Sequence, residues 1–195
     1  MWTIVCAAAV IGCAHNSAET AATGQDGGPS SSTATDAQQR ALFLWGGADA
    51  QGTPHLDPAF VLEAPPSTPE GEGRYTITGR DADGTELFSL RFEIPVIADG
   101  DGRGSFVFAL PVQEGWAERL ESITLEGPGG SSTLDRTTDR PMAILRDRAT
   151  GQIRQITRDL PPGRAGRDAA EALAAETGFE LFFSRGIPDP ADWGR

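Results

Sequence analysis

Two glycine-rich turns come closest to a chemical site. In Asp99-Gly100-Asp101-Gly102, alternate aspartates stand on a flexible turn, and calcium takes hard carboxylate oxygens from such loops. Asp81 and Asp83, ahead of Gly84, form a shorter version. An EF-hand loop closes with a bidentate glutamate at its twelfth position. Here that position is Leu110 counted from Asp99, and Phe92 counted from Asp81. Turn aspartates also bond their own backbone. The expectation is therefore two plain turns and no metal site, with Asp81, Asp83, Asp99 and Asp101 as the residues a calcium ion would use.

Other chemistries lack parts. Zinc hydrolysis needs histidine and carboxylate ligands at set spacings, and the chain has only His15, in a polar N-terminal stretch, and His55, in a loop. A serine hydrolase of the nucleophile-elbow type needs G-x-S-x-G, which is absent, and both cysteines, Cys6 and Cys13, precede the body of the chain. No glycine-rich segment leads into a helix in the manner that cradles phosphate. Carboxylate pairs run glycoside hydrolysis, but with so many acidic residues some pair falls at a catalytic separation by chance. A non-enzymatic protein without a cofactor is expected, with a carboxylate-dependent hydrolase as the remotest alternative. Trp45 and Trp116 could stack on sugars, yet Trp45 ends the run Leu42-Phe43-Leu44 and Trp116 sits in Gly115-Trp116-Ala117, so core packing is the expected role of both.

The elements that must position these residues are short apolar runs separated by Gly, Pro, Asp and Ser, the pattern of an antiparallel β fold. Phe88, Leu90, Phe92 and Ile94 alternate with Ser89, Arg91 and Glu93, which gives a strand with one buried and one wet face. Arg74 to Thr78 alternates as well, and Asp81-Ala82-Asp83-Gly84 between the two has hairpin chemistry. Pro128-Gly129-Gly130 and Arg148-Ala149-Thr150-Gly151 join two further pairs. Further strands are expected at 42–45, 59–63, 105–110, 122–126, 131–134, 142–147, 152–158 and 179–184. One helix is expected from Asp168 to Glu176, stopped by Gly178. About ten short strands and one short C-terminal helix predict an all-β fold, an immunoglobulin-like antiparallel β-sandwich spanning residues 41–195.

The N-terminus is of another kind. Residues 2–12 carry one polar side chain, Thr3, and end in small residues, as export signals do. The run is too short to span a bilayer, which takes about 20 residues. Val10-Ile11-Gly12-Cys13 resembles the end of a bacterial lipoprotein signal. That resemblance implies a signal peptide over residues 1–12 and a lipid-bearing Cys13 as first mature residue, anchored to the membrane by more than one acyl chain. Ala14 after the cysteine implies the outer membrane, facing periplasm or cell surface; the alternative is secretion. Residues 16–40 have no Leu, Ile, Val, Phe, Trp or Tyr, so residues 13–40 are expected to be a disordered polar tether, reaching about 25–30 Å on average.

All 16 basic residues are arginine, a bias of GC-rich bacterial coding, and the net charge is −12. Nucleic acid, which needs basic surface to neutralise phosphates, is excluded as a partner.

Several stretches resemble an accessory β-sandwich module found at the C-terminal end of secreted bacterial metallopeptidases: Leu44-Trp45-Gly46-Gly47, Leu56-Asp57-Pro58-Ala59-Phe60, Gly79-Arg80-Asp81-Ala82-Asp83-Gly84, Ser122 to Gly130, and Arg140-Pro141-Met142-Ala143-Ile144. The resemblance implies a protein or peptidase partner and carries over no catalytic residue. The resulting expectation is a lipid-anchored extracytoplasmic binding or accessory module. Its alternative is a detached accessory domain of a metallopeptidase, acting in substrate docking or stabilisation.

Overall fold

The computed structural model describes residues 39–97 and 101–193. The expected signal peptide, Cys13, the expected tether apart from Gln39 and Arg40, and Asp99 lie outside the described residues. The rest is an all-β antiparallel sandwich, elaborated on one side.

Its central strand is β1 (Gln39–Ala48), which takes in Gln39 and Arg40 from the stretch expected as tether. One edge of β1 pairs with β3 (Phe60–Ala64) at its start and with β2 (Pro54–Leu56) at its end; the other edge pairs along its length with β6 (Gly104–Pro111). A second sheet has the order β5 (Glu86–Phe92), β4 (Tyr75–Arg80), β7 (Ser122–Gly127), β8 (Gly130–Asp135). It contains two of the expected hairpins. A third sheet has β9 (Met142–Arg146) between β10 (Ile153–Thr157) and β11 (Glu180–Ser184), with the expected β9–β10 hairpin.

Alternation explains the layering. In the second sheet Tyr75, Ile77, Phe92, Ile123 and Leu125 point into the main core, against Leu42, Leu44 and Leu56 of the central sheet. Its other face is polar and largely exposed, with Thr78 buried within it, and Thr124 and Thr133 bond across it at 3.0 Å. β1 instead is apolar on both faces, as the unbroken run Ala41 to Trp45 suggests. Phe43 and Trp45, opposite Leu42 and Leu44, pack with Phe60 and Leu62 against Met142, Ile144 and Phe182 of the third sheet.

Helix α2 (Arg164–Thr177) covers the far side of that third sheet through Ala170, which meets Ala143 and Phe183. It begins four residues before the expected start, and the N–H of Gly163, just ahead of it, donates to the Asp139 carboxylate at 3.0 Å. It ends as expected on left-handed Gly178 (φ 70°). A four-residue helix, α1 (Trp116–Arg119), seats Trp116 in the main core with its ring 5.1 Å from that of Phe88. The chain end returns to the same core through Ile187 and Trp193.

Candidate functional site

Aspartates tie the turns together. The Asp81 carboxylate accepts N–H bonds from Asp83 (3.1 Å) and Thr85 (2.8 Å) on Oδ1, while Oδ2 takes the Arg119 guanidinium at 2.9 Å. The Arg119 bond, helped by the backbone N–H groups, holds the Asp81 carboxyl below the usual carboxylate value. Asp147 does the same for the β9–β10 turn, with Arg154 and the N–H of Ala149 both at 2.9 Å, and its carboxyl is likewise lowered, first by Arg154. A cation therefore already sits on Asp81. Asp83 and Asp101 are exposed, Asp101 in the left-handed region (φ 51°). Among the described residues no three His, Cys, Asp or Glu side chains converge as metal ligands.

The concave site lies elsewhere. A groove of about 950 Å³ runs beside β6, where Ser105, Phe106, Val107 and Phe108 line it in succession. Register explains its floor. Val107 lies opposite Trp45, and Ser105 opposite Gly47, which in turn lies opposite His55. The third sheet covers Trp45's neighbours on β1 and β3 but stops short of β6, leaving Val107 56% exposed. Gly47 is required for this arrangement, since a Cβ there would stand 2.2 Å from the Gly104 carbonyl oxygen and 2.8 Å from the His55 ring.

Trp45 belongs to both core and groove. Its indole N–H donates to the Pro58 carbonyl at 2.6 Å, its ring meets Phe60 edge-on at 5.9 Å, and the Arg158 guanidinium lies 5.5 Å from the ring centroid. Core packing accounts for Trp116 fully and for Trp45 in part. Arg158 also reaches Asp57 at 3.6 Å, so the carboxylate nearest His55 in sequence is engaged by a guanidinium. Among the described residues, four carboxylates, those of Asp57, Glu70, Glu72 and Glu93, line the groove with one guanidinium, that of Arg158. Glu93 is held by Arg74, which lowers its carboxyl. Glu70 and Glu72 have no ion-pair partner among the described residues.

Sequence reasoning did not single out Val107, Glu70, Glu72 or Arg158. Two signals bear on them. The unbroken run Phe106 to Leu110 reads as a strand buried on both faces, and Ala64-Pro65-Pro66 to Gly73 reads as a Pro- and Glu-rich loop beside it. Neither says that the strand and the loop meet.

No protein-family model, curated protein or solved structure matches this chain. Its class rests on its own geometry, an antiparallel β-sandwich with an open, acidic groove along one edge.

Proposed function

We propose that this chain is a lipid-anchored extracytoplasmic protein, held by Cys13 at the outer membrane, whose sandwich serves as a binding or accessory module rather than as an enzyme. The observation that carries the reading is the groove beside β6. Its size is that of ligand sites in general, and it joins aromatic surface to a few fixed charges. Asp57 faces Arg158 rather than forming a base with His55, which favours contact over chemistry. The polar stretch between Cys13 and β1 gives an anchored domain reach, and the charge of −12 turns it away from nucleic acid.

The mass of the mature protein tests the anchor. A chain beginning at Cys13 with added acyl mass is expected, and Cys13→Ser or globomycin should abolish lipid labelling and release the domain. Membrane partitioning unchanged in Cys13→Ser would refute the anchor.

A further inference from the structure

The groove borders a sheet edge that is occupied at both ends and open in the middle. Val112 N–H donates to Arg40 C=O at 3.0 Å, so the even-numbered residues of β6 bond to β1. The odd-numbered ones face the other way. Ala109 exchanges two bonds with Ser67 (2.8 and 2.9 Å), and the Arg103 carbonyl accepts from Ile97 N–H at 2.9 Å. Ser67 and Val96 thus fill the lane beside β6 opposite Ala109 and Gly104. Between them the N–H and C=O of Val107 point outward, and among the described residues no strand pairs there.

The surroundings indicate what would fill the gap. Three of the exposed large apolar side chains, Val96, Ile97 and Val107, belong to this edge or its flank, where a lone soluble protein gains nothing by showing them. The unpartnered Glu70 and Glu72 stand over it. An unpaired backbone edge selects an extended polypeptide, and uncompensated carboxylates select a cationic one. Four residues of β6 at about 3.4 Å each give a gap of roughly 13 Å, the length of three or four extended residues.

We propose that the β6 edge between Ser67 and Val96 binds a short extended segment of a partner polypeptide, bearing arginine or lysine beside aliphatic residues, by strand addition at Val107. This rests on the reading of the protein as a binding module. The segment exchanges backbone bonds with Val107, lays an aliphatic side chain over Val107 and Trp45, and places its cations at Glu70 and Glu72.

The test uses the full-length chain and labelled acetyl-Arg-Val-Arg-amide, a length that fits between Ser67 and Val96. Binding is expected to exceed that of the Glu-Val counterpart at least tenfold, to weaken as salt rises, and to protect the Val107 amide from exchange. Val107→Pro should weaken it at least tenfold while leaving the melting temperature nearly unchanged, because that N–H makes no bond to β1 and proline is tolerated on an edge. The double variant Glu70→Gln/Glu72→Gln should remove the preference for the basic peptide. Equal binding of basic and acidic peptides, binding indifferent to Val107→Pro, or a dimer of this chain that Val107→Pro dissociates would each overturn the proposal. A photocrosslinker at Val107 in cells separates this failure from the wider one. Adducts made when the peptide fails leave the binding-module reading standing, and their absence removes both.

Discussion

The two edges of the sandwich are finished in opposite ways. At one, β2 of the central sheet lies against β8 of the second, and the Leu56 N–H donates to Ser132 Oγ at 3.1 Å across the seam, with the Leu56 side chain fully buried beneath. At the other, among the described residues β6 is bridged at Ser67 and Val96 alone, and Val107 stands exposed. Sheet edges are usually paired, covered or charged because an open one recruits other strands. The closed seam shows that this fold can cover an edge with its own chain. The open one is the place at which we propose that an outside chain is received.

The contrast is broken most strongly from the closed side. Leu56→Ala should cost about 2–5 kcal/mol, as deletions of fully buried leucine do, whereas Val107→Ala at the open edge should stay within about 0.5 kcal/mol. Urea unfolding of both variants measures the difference, and similar losses would erase the distinction between the edges. Next in size is Gly47→Ala, whose Cβ would meet backbone at Gly104; we expect about 1–3 kcal/mol of overpacking cost, together with chemical-shift changes in β6 and His55.

Ser132→Ala removes the acceptor at the seam and should cost about 1 kcal/mol. Hydrogen exchange at the Leu56 amide should then speed up, while that at Val107 stays as it was. The smallest effect belongs to the turns. The carboxyls of Asp81 and Asp147 titrate below the ordinary carboxylate value of 3.8 in the folded chain, so as pH falls the unfolded chain takes up protons first. Their stabilisation is complete above about pH 5 and is lost as pH drops through the lowered folded values. Asp81→Asn should flatten that acid limb of the melting curve and leave the groove unaffected.

Legibility followed locality. The hairpins around Asp81-Ala82-Asp83-Gly84, Pro128-Gly129-Gly130 and Arg148 to Gly151 could be read because each joins adjacent strands through turn chemistry written within a few residues. The face of β5 carried by Phe88 and Phe92 was legible for the same reason, since a strict period of two leaves one arrangement. β2 is three residues long, too short for a period of two to show, and the Gly163 N–H at the early start of α2 finds its acceptor, Asp139, twenty-four positions away. Trp45 was half legible. Its aliphatic neighbours indicated packing, but nothing in them said that the third sheet ends one strand short of β6.

The sequence by itself determined the class of fold and the turns whose aspartates bond their own backbone, because strand period and turn residues act over short range. Tertiary structure alone decided the groove. Val107, Glu70 and Arg158 come from a strand, a loop and the end of another sheet, and each is unremarkable in its own stretch of chain. They meet because β1 buries both of its faces, and the third sheet brought over it by that burial leaves β6 uncovered.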